Sequence, residues 1–316
     1  MELHGWVKKA VDTFMDGEYH IVYRNDGSSH VKQLRPTYSE WYADPLLYTE
    51  NGKSCVFMEV YDRFADKGYI GVSEFDGNGV LQRPKKVIEE PFHMSFPLTF
   101  RYGNSVYMIP ETVGGGALRI YEKGSSIYEW RQIRAIEEIT GCVDSVVYIR
   151  EGSSDINIFT CKENADNKLM TGLRWYILRG GIDGECVDNS RKLPDECREY
   201  GYGVRNGGPV FEKDGSLYRI IQKSTERIYG ESIEIRRLSI DSDGRYSEHK
   251  VRELSLDDFD VSTLPLTTHR VGIHTYGCEN GIEITDMFVA RASLRNMIRK
   301  PVSYTHLRAH ETRRHL

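Results

Sequence analysis

The chain has 316 residues, of which 39% are hydrophobic and 28% charged, and its 20 Tyr and 11 Phe favour strands over helices. The formal net charge of −5, with both signs interspersed, argues against nucleic acid as a main partner, because phosphate binding requires a basic surface. No apolar run approaches the roughly 18 residues of a membrane-spanning helix, and the N-terminus lacks the apolar core of a secretory signal, so we expect a cytoplasmic protein.

The six cysteines form no CxxC pair, which argues against a zinc site. We expect reduced thiols that pack as small hydrophobic side chains. The sequence likewise indicates neither another metal nor an organic cofactor.

Residues 7–15 (VKKAVDTFM) have the pattern of a short helix, and YHIVYR, which begins at Tyr19, has that of a strand. Five later segments share one pattern: a small or polar start, an apolar β run, a Gly- or Asn-rich turn and a second β run. They are ADPLLYTENGKSCVFMEV from Ala43, SFPLTFRYGNSVYMIPET from Ser95, VDSVVYIREGSSDINIFTC from Val143, GGPVFEKDGSLYRIIQ from Gly207 and GIHTYGCENGIEITDM from Gly272. Turns such as Asn51-Gly52 between alternating runs are strong hairpin signals.

The starts of these segments lie about 50 to 65 residues apart, which leaves room for four strands in each repeat. Further strand patterns fill the intervals: YIGVSEFD from Tyr69, ALRIYEK from Ala117, LRWYILRG from Leu173 and SIEIRRLSID from Ser232. We therefore predict an all-β protein with one domain over residues 1–301, a five-bladed β-propeller whose ring is closed by YHIVYR. A β-sandwich is the alternative, but it would not explain the even repeat.

The last residues, 302–316, follow Pro301 and show neither strand nor helix periodicity. Their sequence VSYTHLRAHET matches, codon by codon, the in-frame translation of a transposon-type sequencing adapter. We interpret this segment as read-through from a metagenomic assembly, with a genuine basic tail as the alternative. On this interpretation a C-terminal domain could be missing from the chain.

The propeller geometry predicts where functional side chains would meet. The innermost strand of each blade lines the axis and the next strand runs antiparallel, so the start and the end of each repeat lie at one mouth. Five pairs of residues occupy these positions: Asp44 with Glu59, Ser95 with Glu111, Asp144 with Thr160, Arg205 with Gln222, and His274 with Asp286. Because buried charges are costly unless they are paired, this set predicts a polar axial pocket.

A series of motifs spans residues 41–287: WYADPLLY, VFMEV, EEPFHMSFP, YMIPET, RNGGPVF, LYRIIQ, YGESIEI and GIHTYG. Together they resemble the N-terminal domain of the glucosamine inositolphosphorylceramide transferase family. The resemblance implies kinship with arabinanase- and levansucrase-like five-bladed propellers, which include many glycoside hydrolases. In those enzymes a carboxylate opens an early inner strand; Asp44 in ADP matches that place, and Asp144 in VDS resembles the second such position. No residue matches the general acid, and glycosyl transfer in the plant members belongs to a second domain that is not matched here.

Paired carboxylates can cleave a glycosidic bond, one acting as acid and the other as base or nucleophile. The candidate catalytic residues are Asp44, Asp144 and Glu111. The candidate substrate-binding residues are Glu59, His93, Arg205, Gln222 and His274. The expected ligand is a carbohydrate or a glycolipid head group, and the sequence leaves open whether any reaction occurs.

Structural roles remain open for several of these residues. Asp44 could cap its own strand entry, because Asp-Pro is a common turn pair. His93 could be a packed core histidine, and Arg205 could belong to a structural ion pair. Trp41 and Tyr42 could stack on a sugar ring or pack in the core. The competing hypothesis for the chain is a non-catalytic glycan-binding domain that accompanies a glycosyltransferase or another transferase domain.

Overall fold

The computed structural model describes residues 15–226, 228–241, 243–261, 264 and 269–292. The predicted helix over residues 7–15 lies outside these residues except for its last position, and the segment 302–316 lies outside them entirely. Within the described residues the helical elements are short: one α-helical turn at Asp195–Arg198 and 3₁₀ turns at Val113–Gly115, Ser190–Lys192 and Leu256–Asp258. No helix in this part of the chain is long and apolar enough to cross a membrane.

Five antiparallel sheets form the blades of a five-bladed β-propeller, as predicted. The first two strands, β1 (Met15–Asn25) and β2 (Lys32–Leu34), belong to blade 5. Blade 1 contains β3 (Glu40–Glu50), β4 (Lys53–Asp62), β5 (Lys67–Glu74) and β6 (Lys85–Ile88). Blade 2 contains β7 (Ser95–Tyr102), β8 (Ser105–Glu111), β9 (Leu118–Lys123) and β10 (Trp130–Ile136).

The remaining strands follow the same order. Blade 3 contains β11 (Cys142–Tyr148), β12 (Ile156–Glu163), β13 (Thr171–Arg179) and β14 (Glu185–Asp188). Blade 4 contains β15 (Arg205–Asn206), β16 (Phe211–Lys213), β17 (Ser216–Lys223), β18 (Ser232–Ile240) and β19 (Tyr246–Leu254). Blade 5 is completed by β20 (His269–Gly272), β21 (Tyr276–Glu279) and β22 (Ile282–Ala292).

The ring is closed by the pairing of β1 with β22. The two strands run antiparallel from Met15 opposite Ala292 to Asn25 opposite Ile282. Blade 5 therefore takes its inner strands from the end of the chain and its outer strands from the beginning, and the predicted strand YHIVYR is the closing strand.

The inner strands of blades 1 to 3 share a β-bulge near their start. The register shifts between Ala43 and Leu46 in blade 1, and the corresponding shifts in blades 2 and 3 lie between Ser95 and Leu98 and between Val143 and Val146. The first residue of each bulge, Asp44, Phe96 or Asp144, has a positive φ of 45–50°. A bulge of this kind releases backbone N–H groups from the ladder and redirects side chains.

In blades 4 and 5 the inner strand is divided into two short strands, β15 and β16 in blade 4 and β20 and β21 in blade 5. The residues that lie between these short strands in the two blades contact one another. Gly208 in blade 4 packs against blade 5, where an added Cβ would lie 2.1 Å from the Tyr276 carbonyl oxygen. Next to it, the Tyr276 N–H donates to the Gly207 carbonyl at 2.7 Å. His274 lies between β20 and β21, so this close backbone contact helps to set its position.

Replacing Gly208 by Ala should destabilise the protein by about 1–3 kcal/mol, because the new methyl group would overlap the Tyr276 carbonyl and overpack the blade interface. Gly203→Ala is a matched control, since a Cβ there meets nothing within 4 Å. Urea unfolding followed by tryptophan fluorescence compares the two variants. Equal stabilities would show that blades 4 and 5 can separate at this point without cost.

Hydrophobic layers fill the spaces between neighbouring blades. Phe57 of blade 1, for example, is fully buried against Met108 and Tyr121 of blade 2. The cysteines are free thiols: Cys55, Cys142, Cys161 and Cys197 are buried, Cys186 is partly buried and Cys278 is exposed. The expected packing as small hydrophobic groups thus holds for four of the six, and Cys278 departs from it.

Candidate functional site

The structure brings the starts and ends of the repeats to one end of the inner strands. Ser95 lies opposite Glu111, and Arg205 opposite Gln222, as predicted. Glu59 lies opposite Ala43, the residue before Asp44. Most of the polar side chains here form two groups: the Asp44 cluster, which comprises Asp44, His274, Thr275 and Asp286, and the Arg205 cluster, which comprises Arg205, Asp144, Glu111 and Glu163.

In the Asp44 cluster, the His274 ring lies between two buried carboxylates. Its Nε2 is 3.2 Å from Asp44 Oδ1, and its Nδ1 is 2.7 Å from Asp286 Oδ2. The Thr275 hydroxyl donates to Asp44 Oδ1 at 3.0 Å. Burial alone would lower the pKa of His274, but the carboxylates of Asp286 and Asp44 outweigh it and raise the pKa to about 10. The ring is therefore a charged imidazolium at neutral pH.

The same carboxylates tie neighbouring blades together. Asp286 accepts the backbone N–H of Asp44 at 2.9 Å and those of His274 and Thr275 at 3.1 and 3.0 Å. Asp44 in turn accepts the N–H of Phe96, the bulge residue of blade 2, at 3.1 Å. The bulges remove these N–H groups from the strand ladders, so each carboxylate satisfies donors that would otherwise lack a strand partner. Asp44 thus caps the start of the inner strand of the adjacent blade.

In the Arg205 cluster, one buried guanidinium faces three carboxylates. Arg205 Nε pairs with Asp144, its Nη2 lies 3.6 Å from Glu111 Oε2, and its Nη1 lies 3.5 Å from Glu163 Oε1. The guanidinium carbon is also 5.3 Å from the centre of the Tyr229 ring. Arg205 is therefore engaged in the structural ion pairs that the sequence left open as its alternative role.

Asn206, Arg219 and Glu248 form a series of hydrogen bonds next to the Arg205 cluster. Asn206 Nδ2 donates to the backbone carbonyls of Asp144 and Phe159 at 2.6 and 3.1 Å, and Asn206 Oδ1 accepts from Arg219 at 2.8 Å. Arg219 is fully buried and bonds Glu248 through Nε and Nη2, each at 2.9 Å. Burial alone would raise the pKa of Glu248, but Arg219 lowers it to about 2.

Glu59 and His93 form a third contact at the start of blades 1 and 2. His93 Nδ1 accepts the N–H of Gly68 at 2.9 Å, so the proton of a neutral ring lies on Nε2. That nitrogen is 3.4 Å from Glu59 Oε1. Gln222 is buried as well, and its side-chain amide donates to the Ser224 hydroxyl at 3.1 Å. Each of these predicted binding residues thus has a defined partner within the protein.

Trp41 and Tyr42 belong to the core. Trp41 stacks on Tyr61 with ring centres 4.5 Å apart, and Tyr42 is fully buried between blades 5 and 1. Two other aromatic rings contact His274 of the Asp44 cluster: Tyr19 of the closing strand, with ring centres 4.5 Å apart, and Tyr229, with ring centres 5.4 Å apart. Core packing is therefore the role that the structure shows for Trp41 and Tyr42.

Sequence reasoning did not select Glu163, Asn206 or Tyr229. Glu163 ends β12 just as Glu111 ends β8, and this shared position is a signal that could have identified it. Asn206 directly follows Arg205 in the motif RNGGPVF. Tyr229 lies between strands and is the first residue of the motif YGESIEI.

Two groups of described side chains have donor atoms within 4.8 Å of one another and could in principle hold a metal ion: Asp44, His274 and Asp286, and, separately, Asp26, Cys278 and Glu283. In the first group, both carboxylates lie within ion-pair distance of the His274 ring. In the second, Glu283 is already paired with Arg24 at 2.6 Å.

Solved structures with the same fold include glycoside hydrolases. A family 117 glycoside hydrolase from Zobellia galactanivorans aligns with a TM-score of 0.51 and 11% identity, covering 90% of this chain and 92% of that one. An α-L-arabinofuranosidase from Lactobacillus brevis aligns with a TM-score of 0.50 and 9% identity, covering 69% of this chain and 80% of that one. At these identities the similarity establishes the fold alone.

Curated relatives at higher identity come from plants. Glucosamine inositolphosphorylceramide transferase 1 of Arabidopsis thaliana is 29% identical over 219 residues, which is 67% of this chain and 27% of that protein. The protein of the same name from Oryza sativa subsp. japonica is 28% identical over 188 residues, 57% of this chain and 24% of that protein. The chain thus spans about a quarter of their length. The family model for the N-terminal part of glucosamine inositolphosphorylceramide transferase 1 matches residues 29–261, and the chain belongs to this family.

Proposed function

We propose that the chain binds a carbohydrate, either a free sugar or a glycolipid head group, at the axial end where the Asp44 and Arg205 clusters lie. The observation that carries the proposal is the burial of several carboxylates at this one end: Asp44, Glu59, Glu111, Asp144 and Asp286. Desolvation of charges is costly, so a concentration of buried carboxylates at one end of the fold is unusual. Carboxylates are strong acceptors for the hydroxyl groups that define a sugar.

The names of the matched proteins support this class of ligand. The plant relatives are named as glucosamine inositolphosphorylceramide transferases, and proteins with the same fold include glycoside hydrolases. Because the chain covers about a quarter of the plant proteins, the proposal concerns the propeller alone and not the transfer reaction.

The charge of the site favours the sugar over an anionic part of a head group. The His274 imidazolium lies between two carboxylates, and the Arg205 guanidinium faces three. A phosphate or uronate would approach a surface in which these cations are already neutralised, and the excess carboxylates would repel it. We therefore expect the site to prefer hydroxyl- or ammonium-bearing sugars.

Hydrolysis of a glycosidic bond is a second candidate function, supported by the contacts that the Asp44 carboxylate makes. Phe96 N–H, the Thr275 hydroxyl and the His274 imidazolium all contact its carboxylate, which holds it in its charged form and in one orientation. Such a group suits a base or nucleophile. A hydrolase would also need an acid opposite Asp44, about 5 Å away for retention or about 6.5–9.5 Å for inversion. Asp144, Glu111 and Glu59 are the candidates.

Asp44→Asn should weaken sugar binding by about 1.5–3 kcal/mol, because an amide replaces the charged acceptor at almost the same volume. Calorimetry with a panel of neutral sugars, amino sugars, uronates and glycolipid head groups measures this loss. Asp214→Asn is a matched control, since Asp214 also has a φ of 50° but lies exposed in the hairpin turn after β16. Thermal melting of both variants separates lost binding from lost folding.

The same variants distinguish the two functions. If the chain is a hydrolase, slow turnover of aryl glycosides by the wild type should disappear in Asp44→Asn while binding largely survives. If it only binds, no glycoside should be turned over by either form. Binding and turnover that are both unchanged in folded Asp44→Asn would rule out the Asp44 cluster as the site.

A further inference from the structure

Two aromatic rings protrude from blade 1. Tyr38 and Phe64 have exposed fractions of 76% and 65%, and their ring centres lie 6.1 Å apart at an angle of 52°. Most large apolar side chains in this protein are buried, so a contacting pair of exposed rings stands out from the rest of the described surface. Exposed aromatic groups set in a polar surrounding commonly mark binding surfaces.

The loops that carry the two rings are held in place by hydrogen bonds. The Arg63 N–H donates to the Ser39 carbonyl at 2.8 Å and thereby joins the loop before β3 to the turn between β4 and β5. Within that turn, the Asp62 carboxylate accepts the N–H of Phe64 at 2.7 Å, and the Tyr61 hydroxyl donates to Asp66 at 2.6 Å. The rings are thus presented by a preorganised platform, which lowers the entropic cost of binding.

The aromatic pair lies on the same face as the candidate site. Tyr38 precedes β3, whose early residue Asp44 belongs to the site, and Phe64 follows β4, whose late residue Glu59 lies there too. Six residues separate Tyr38 from Asp44, which limits their Cα distance to about 20 Å. A ligand longer than one sugar could therefore contact both places.

The charges around the pair favour a sugar over a lipid surface. Asp62 and Asp66 flank Phe64 in the chain, and these carboxylates would be repelled by anionic lipid head groups. Carboxylates beside aromatic faces are well suited to a sugar, whose C–H face packs on a ring while its hydroxyls donate to oxygen.

We infer that Tyr38 and Phe64 form a second glycan subsite, which contacts the distal part of an extended oligosaccharide whose end occupies the axial site. The inference rests on the proposed carbohydrate function and adds length selectivity to it. A hexasaccharide should bind more tightly than its monosaccharide, and the difference should come from this pair.

The test compares a Tyr38→Ala/Phe64→Ala double variant with the wild type. The probes are xylose, arabinose, glucose and glucosamine together with the corresponding β-1,4- or α-1,5-linked hexasaccharides, measured by calorimetry. The double variant should bind the best hexasaccharide about tenfold more weakly, equivalent to about 1.4 kcal/mol, with unchanged affinity for the monosaccharide. Val251→Ala, at an exposed apolar position on β19, should change neither affinity.

The outcomes separate this inference from the proposed function. If Asp44→Asn weakens binding of both probes while the double variant binds the hexasaccharide as the wild type does, the subsite is wrong and the axial site stands. If the double variant loses hexasaccharide binding and Asp44→Asn does not, the aromatic pair binds sugar and the axial proposal fails. If the wild type sediments with phosphatidylcholine vesicles and the double variant does not, or if no saccharide binds, the inference is overturned.

Discussion

Replacing Arg219 by Met should lower the free energy of unfolding by about 3–5 kcal/mol. The substitution removes two of the three guanidinium hydrogen bonds to the buried Glu248 carboxylate and leaves it only the Arg236 contact at 2.9 Å among its cations, and it also removes a donor to Asn206. Because the pKa of Glu248 is lowered to about 2 in the folded protein, its charge persists over the whole neutral range. Chemical denaturation at pH 7 measures the loss.

Arg237→Met provides the control for this experiment, since Arg237 is exposed on β18 and its loss should change stability by about 0.5 kcal/mol or less. A double variant, Arg219→Met with Glu248→Leu, should lose less than the sum of the two single variants, because the charge that each single variant deprives of its partner is then removed as well. Strictly additive effects would mean that the pair does not interact as its geometry indicates. Arg219→Met should also weaken sugar binding, since Asn206 would no longer hold the Asp144 backbone in place.

The contribution of His274 to stability should depend on pH with a defined sign. Its pKa is about 10 in the folded protein against an ordinary value of 6.5, so the folded state holds the proton more tightly than the unfolded state does. This stabilisation is fully present below about pH 6.5, decreases as the pH rises, and is lost above about pH 10. A shift of this size corresponds to a contribution on the order of 3–5 kcal/mol.

His274→Gln tests this expectation, because glutamine can hydrogen-bond both carboxylates but cannot carry the charge. The difference in unfolding free energy between the wild type and the variant should be large at pH 6 and should shrink steadily towards pH 10. Groups that titrate elsewhere at high pH affect both proteins and cancel in the difference. A difference that stays constant between pH 6 and pH 10 would mean that the ring is not protonated between Asp44 and Asp286.

The blade count could be predicted from the sequence because it depends on local signals. Each Gly- or Asn-rich turn and the two β runs that flank it can be recognised within about 18 residues of sequence, and this pattern recurs five times. The closing role of YHIVYR was also predictable, because a strand pattern at the start of the chain had no partner in the first repeat. The bulges at Asp44, Phe96 and Asp144 were not predicted, although Asp is one of the residues that tolerate a positive φ.

The partners of the candidate residues could not be predicted, because they depend on contacts between blades. Asp44 meets Thr275 across 231 residues, and Asp144 meets Arg205 across 61. Sequence spacing identified the mouth at which these side chains gather but not which of them would pair. The three carboxylates that the Arg205 guanidinium faces come from separate strands, so these ion pairs became visible only in the structure.

The pairing of β1 with β22 has a consequence for how the protein is made. On the ribosome β1 emerges early and β22 late, so blade 5 cannot assemble until the other four blades have been synthesised. Ring closure is then a long-range step, and such steps are slow in folding. Until it occurs, the edge of β1 that will receive β22 is an unpaired strand that a second chain could occupy. Crowded expression at high temperature should therefore favour strand-exchanged dimers joined through blade 5.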